Sequence, residues 1–211
     1  ISVLIAIIVV ALILVILMSV KGSPKNRKKK ELGDKIQRKG KSNIVRDAEK
    51  KLAHDPKHVP SLEVLGKLYF DEKNWDKVYS IYKTLYDLST SQIGINRGAV
   101  ALNYGIACFF LVRLDEAFSI LMSAMKQEPE SFDANFYLGR TLYVKGVYDK
   151  ALACFKKAKL IEPENVEVME YIALSFVRMT KYREALPFLK RVLDEKPDDK
   201  ELLFYTAISM T

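Results

Sequence analysis

Small residues and prolines recur along this chain at a fixed interval of 34 residues. A Gly or Ala stands at Gly105, Gly139, Ala173 and Ala207, an Ala at Ala117, Ala151 and Ala185, and a Pro at Pro129, Pro163 and Pro197. Three independent sets of positions share one period, so the chain is a repeat array. Bulky apolar residues recur between the small ones at helical spacing, which makes each unit a pair of helices closed by a Pro. One such pair cannot bury its apolar face alone. Neighbouring units must stack to make a continuous core. An array of this kind offers an extended surface rather than a single catalytic cleft.

Residues 1–20 differ from all the rest, being apolar except for Ser2 and Ser19. A helix of that length is about 30 Å long at ~1.5 Å per residue, one hydrocarbon thickness. No basic segment precedes it and no small-residue cleavage site follows, so it reads as a retained anchor rather than a signal peptide. The first residue is Ile, so further residues are expected upstream. Residues 21–41 follow as a linker with Gly22, Ser23, Pro24, Gly33 and Gly40. They carry ten Lys or Arg against Glu31 and Asp34, a net +8 that equals the charge of the whole chain. The pI of 9.3 therefore reports this linker, and the rest is formally neutral. Such a cluster after a membrane helix places the following domain in the cytoplasm, against the cytoplasmic face of the membrane. Lys25, Arg27, Lys28, Lys29 and Lys30 are candidate contacts to anionic lipid headgroups. No aromatic residue lies there to stack on bases, so nucleic acid is not expected.

Cys108 and Cys154 sit in helical apolar patterns and form no metal-type pair, so they read as small buried hydrophobes. His54 and His58 flank Asp55-Pro56, which breaks any helix between them and makes them turn residues rather than metal ligands. There is no phosphate-binding Gly-rich loop, no H-E-x-x-H and no G-x-S-x-G. The expectation is a non-enzyme without cofactor or metal.

Folded structure should begin with a lone helix carrying Ile44, Val45, Ala48 and Leu52, a half-repeat over 42–58 that covers the front of the array. Residues 59–92 then hold Leu62, Leu65, Gly66, Tyr69, Val78, Tyr82 and Leu85. Residues 98–131 hold Ala101, Tyr104, Gly105, Cys108, Ala117, Leu121, Ala124 and Pro129. Residues 132–165 hold Asn135, Leu138, Gly139, Leu142, Ala151, Phe155, Ala158 and Pro163. Residues 166–199 hold Met169, Ile172, Ala173, Phe176, Ala185, Leu189, Val192 and Pro197. A further unit or capping helix starts at 200–211 with Leu203, Thr206, Ala207 and Met210. This pattern resembles the tetratricopeptide-repeat (TPR) family over about three-quarters of the chain. The first unit departs from it, with larger residues at both Ala positions and Thr90 in place of the Pro. Five residues are inserted before the second unit, which predicts a longer loop around Ser89 to Arg97.

The resemblance implies an all-α solenoid, a right-handed superhelix whose first helices line a concave groove. The groove-facing positions of the family hold Leu102, Ile106, Phe109 and Phe110 in the second unit, Phe136, Arg140, Tyr143 and Val144 in the third, and Leu174 and Arg178 in the fourth. These rings either line a partner site or pack against neighbouring helices. The Lys and Asn set with which one subclass grips a C-terminal carboxylate is not reproduced, since Glu63, Lys67, Leu102 and Asn103 stand there. The reading is a membrane-anchored scaffold that organises protein partners of a larger bacterial envelope assembly, working as an oligomer or within a multi-protein complex. The alternative is an adaptor delivering a client to a membrane enzyme, similar in layout to the bacterial repeat proteins that regulate lipopolysaccharide synthesis. Leu203, Phe204, Ile208 and Met210 leave the last helix apolar, so the native chain is expected to continue past Thr211 or a partner to cover this end.

Overall fold

The structure, a computed structural model, describes residues 42–210. The expected anchor at 1–20 and basic linker at 21–41, with Lys25, Arg27, Lys28, Lys29 and Lys30, lie outside the described residues. Among those that are described, no helix is long and apolar enough to cross a membrane. The chain divides into two compact units at His54 and Asp55. In the first, residues 42–54 form a helix, α1. It stops where Asp55 precedes Pro56, since the proline ring disfavours helical backbone at the residue before it.

The second unit is a run of paired helices with no strand among the described residues. The first helices are α2 (Val59–Asp71), α4 (Arg97–Phe110), α6 (Phe132–Val144), α8 (Val166–Arg178) and α10 (Lys200–Ser209). The second helices are α3 (Trp75–Leu88), α5 (Leu114–Gln127), α7 (Tyr148–Ile161) and α9 (Tyr182–Glu195). Within this unit, from α2 to α10, consecutive helices pack on one another, and α6 also touches α4 and α8. This is the TPR-like helical repeat fold.

The punctuation repeats as regularly as the core. Four of the five first helices, all but α2, begin on a polar cap whose side chain accepts a backbone N–H, relieving one unmet donor of the first turn. Asn96 takes that of Ala99 at 3.0 Å, Ser131 that of Ala134 at 3.3 Å, Asn165 that of Val168 at 3.1 Å and Asp199 that of Leu202 at 3.2 Å. Glu128, Glu162 and Lys196 end the second helices with backbone outside the helical region, which a following Pro disfavours. The first repeat lacks that Pro. There α3 ends at Leu88, and the Ser89, Thr90 and Ser91 hydroxyls each donate to a carbonyl of its last turn. The chain then runs non-helically to Asn96, the inserted loop.

Within each repeat the first helix turns into the second through the same Schellman closure. The N–H of Asn74, Arg113, Val147 and Lys181 reaches back to the carbonyl of Tyr69, Cys108, Leu142 and Phe176, each at 2.9 Å. That closure forces left-handed backbone on the residue before: Lys73 at φ 55°, Val112 at 60°, Gly146 at 78° and Thr180 at 57°. Only Gly146 is suited to it. Val112 is β-branched and 73% exposed, so its side chain returns little for the strain. Left-handed backbone costs an L-residue roughly 1–2 kcal/mol, and glycine's extra unfolded-state freedom returns about half of that. Val112→Gly is therefore expected to stabilise the array by about 0.5–1 kcal/mol, read as a raised urea midpoint. A lowered midpoint would show that Val112 does packing work its exposure conceals.

Candidate functional site

The first helices α4, α6 and α8 carry their register-equivalent residues in rows across the repeats. Phe110, Val144 and Arg178 occupy one such position, and Ile106, Arg140 and Leu174 another. Phe110 is 37% exposed and Val144 is also open to solvent, while Arg178 is exposed and donates from Nε to the Tyr143 hydroxyl at 3.2 Å. Phe109, Leu102, Tyr143 and Leu174 are half-buried. Leu102 lies on a cluster of Ala101, Ala124 and Ala134.

Two of the expected groove residues are not at the surface. Ile106 and Phe136 are buried in the core. Phe136 is covered by Phe132 (ring centroids 5.5 Å), Tyr137 (5.6 Å), Tyr171 (5.7 Å) and Phe155 (6.0 Å). Ile106 lies on α4, which packs against α3, α5 and α6 and buries eight of its fourteen residues. A helix with neighbours on three sides has a narrower free face than the family positions suggest.

The rings form one continuous series from Phe70 to Tyr148. Phe70 meets Trp75 edge-on at 5.4 Å, and Trp75 stacks flat on Phe110 at 4.2 Å and 7°. Phe110 touches Phe109 at 5.4 Å and Tyr137 at 6.1 Å. Tyr137 leads through Phe136 to Tyr171, and Tyr171 to Tyr143 and Tyr148. Such ring contacts add about 0.5–1.5 kcal/mol each beyond the area they bury, so they hold the repeats in register. Trp75, Tyr137 and Tyr171 escaped the sequence reading. Tyr137 and Tyr171 stand 34 residues apart on neighbouring first helices, and that spacing was the available signal.

Arg140 sits at the centre of this series. Its guanidinium carbon is 4.8 Å from the Phe109 ring centre, 5.4 Å from Tyr137 and Tyr171, 5.5 Å from Phe136 and 5.9 Å from Phe110. An arginine survives here because its charge is delocalised and weakly hydrated, and ring faces attract it. Burial raises the Tyr137 and Tyr171 hydroxyls above the ordinary phenol range against the opposing pull of Arg140, so both stay neutral. The nearest carboxylate is Glu167, with Oε1 3.7 Å from Nη1. The Nε of Arg140 is buried without a hydrogen-bond partner.

A second polar cluster joins the first two repeats. Tyr104 and Tyr79 both donate to Glu116, and Arg113 donates to the Tyr79 hydroxyl at 2.8 Å while lying over its ring. These four side chains satisfy one another, so the cluster braces a repeat boundary. Neither cysteine is an activated nucleophile. Burial pushes the Cys108 thiol up to about 12 and the Cys154 thiol up to about 11, so both stay protonated at neutral pH. His58 caps α2 and pairs its Nδ1 with the Ser61 hydroxyl at 2.8 Å. Among the described residues no group of His, Cys, Asp and Glu is arranged to hold a metal ion.

No family model matches the chain, and no curated protein matches it. Solved structures do. The crystal structure of YrrB, described as a TPR protein with an unusual peptide-binding site, superposes with a TM-score of 0.66 at 17% identity over 80% of this chain and 84% of YrrB. A crystal structure of MamA superposes with a TM-score of 0.65 at 25% identity over 80% of this chain and 96% of that one. MamA from Desulfovibrio magneticus RS-1 gives a TM-score of 0.65 at 15% identity over 84% and 99% of the two chains. The likeness is one of fold, and it establishes the TPR-like architecture.

Proposed function

We propose that this chain is a protein-interaction scaffold that takes a partner segment on the face formed by α4, α6 and α8. The observation that carries the reading is the ring series that stays partly open to solvent along that face, with Phe110 and Val144 exposed and Arg140 and Tyr143 half-buried among them. Exposed aromatic and arginine side chains are the usual anchors of protein contacts. That YrrB is described as having a peptide-binding site supports a peptide-like occupant. In the same proposal residues 1–20 hold the chain in the inner membrane with the repeats in the cytoplasm, and the basic residues of 21–41 rest on anionic headgroups. The scaffold then presents its face beside the membrane to members of a larger assembly.

The test compares the full chain with a Phe110→Ala, Tyr143→Ala variant in affinity capture from detergent-solubilised membranes. Each ring is expected to contribute more than about 1 kcal/mol to a partner held on this face, so the variant should lose its stoichiometric partners. Helicity should survive, because Phe110 is open to solvent and Tyr143 only half-buried. A folded variant that keeps all its partners would move the interface elsewhere, first to the convex side or to the inserted loop where Ile93 is fully exposed.

A further inference from the structure

We infer that the partner segment presents an acidic side chain to Arg140, and that Glu167 is an internal competitor occupying that arginine until the partner displaces it. The inference rests on the reading of this face as a partner site and names the chemistry read there.

Three features of Arg140 carry it. The side chain is 18% exposed, so most of its charge is out of water but part of the fork is reachable. The cage meets it mostly through ring faces at 4.8–5.9 Å, which take up none of the guanidinium's five N–H donors, and the Tyr171 hydroxyl is the one cage group that accepts from it. Its one ion-pair partner among the described residues, Glu167, stands at 3.7 Å, beyond the range of a good charge-assisted hydrogen bond. The cation is thus held in place by packing and under-neutralised by its own chain. Compare Lys145 with Asp115 and Lys196 with Glu170, which meet their carboxylates closely.

Glu167 suits the part of a displaceable stand-in. Its side chain is 56% exposed, and it sits in the first turn of α8, one repeat beyond Arg140. An exposed acid at that distance gives up its pair at little cost. A better-placed carboxylate could meet the arginine fork edge-on while Glu167 returns to water. The occupant must otherwise be apolar, because Arg140's own row continues in Ile106 and half-buried Leu174 and the next row holds exposed Phe110 and Val144 beside it. The acid therefore comes from a side chain within an apolar segment, flanked on both sides. A C-terminal carboxylate would leave one flank empty.

The probe is a pool of short synthetic peptides capped at both ends. Glu stands at the centre, and the flanks are drawn equally from Leu, Phe, Tyr and Ser. A matched pool carries Gln at the centre. Binding to the full chain is read from the fluorescence of Trp75, the single tryptophan, whose ring stacks on Phe110. The Glu pool should bind about tenfold more tightly than the Gln pool. Glu167→Gln should tighten the Glu pool about two- to fivefold and leave the Gln pool unchanged, because it removes the competitor. Arg140→Met should erase the preference between pools, and Arg140→Lys should restore part of it. The gain from Glu167→Gln cannot arise from a damaged fold, so the inference stands or falls even if the Arg140 variants unfold. Equal binding of both pools overturns the acidic reading while leaving the partner face intact. An unchanged or weaker Glu-pool affinity in Glu167→Gln overturns the competitor. If neither pool perturbs Trp75, the partner face and the inference fall together. A Gln pool with a free C-terminus that binds as tightly as the capped Glu pool moves the carboxylate to a chain end and overturns the side-chain assignment.

Discussion

Gly139→Leu is expected to destabilise the array by about 3 kcal/mol or more, among the largest effects of any single substitution in the chain. A Cβ at this position would lie 2.6 Å from Cε1 of Phe155 and 2.8 Å from its Cδ1, distances real Cβ atoms do not tolerate. Phe155 has nowhere to go. It is fully buried on α7, and its ring is stacked on Tyr171 of the next repeat at 5.1 Å. Any side chain at 139 must therefore push apart α6 and α7 or drive Phe155 into α8. Gly139→Ala is the graded control. It gains about 0.5–1 kcal/mol of helix propensity and loses more to the same clash. Urea unfolding followed by helical signal should rank native above Ala above Leu. Equal midpoints would mean that α6 and α7 do not cross here. Gly105 sits the same way against Leu121, its Cβ position 2.6 Å from Cγ, so the pair of sites makes the crossing a property of the repeat.

These crossings were legible because a 34-residue recurrence of small residues has few physical meanings. Gly or Ala recurring in phase with bulky apolar residues is what two closely crossing helices require. The helix ends at Pro129, Pro163 and Pro197 were equally open to reading, because proline leaves its mark in sequence. The turns inside the repeats were not. All four take the same left-handed residue, yet only Gly146 advertises it, and Val112, Thr180 and Lys73 are carried into that conformation by the closure around them. A fixed tertiary frame overrides local preference there, and no local rule recovers it.

The site was read less well than the fold. The family register named Phe110, Arg140, Tyr143, Val144 and Arg178 on the first helices, and all of them reach solvent to some degree. It also put Ile106 and Phe136 in the groove, where the structure buries them. A register says which side of a helix a residue occupies. It does not say how far a neighbouring repeat's ring overhangs that side. Tyr171, one repeat on, provides that overhang at Phe136. The same blindness hid Trp75, which belongs to a second helix and reaches Phe110 only because the turn at Lys73 brings it round. The Arg140 cage needed Phe109, Phe136, Tyr137 and Tyr171 from three repeats to assemble before it existed at all.

Phe136→Ala separates the two roles that aromatic residues play here. Burial and four ring neighbours put Phe136 in the core, so the truncation removes a large buried side chain and leaves a cavity between α6, α7 and α8. Losses of about 3–5 kcal/mol are usual for such a change. The cage would also lose one of the faces around Arg140, so repeats three and four should loosen together, and the melting midpoint should fall sharply. Phe110→Ala, by contrast, removes a ring open to solvent and stacked on Trp75, and should lower the midpoint far less while shifting the Trp75 emission. The decisive comparison is stability against partner capture for the two variants. Phe136→Ala should be costly to stability first and lose binding only as it unfolds, while Phe110→Ala should lose binding while still folded. A Phe136→Ala chain as stable as the parent would place that ring on the partner face after all, and would reopen the width of the face α6 leaves free.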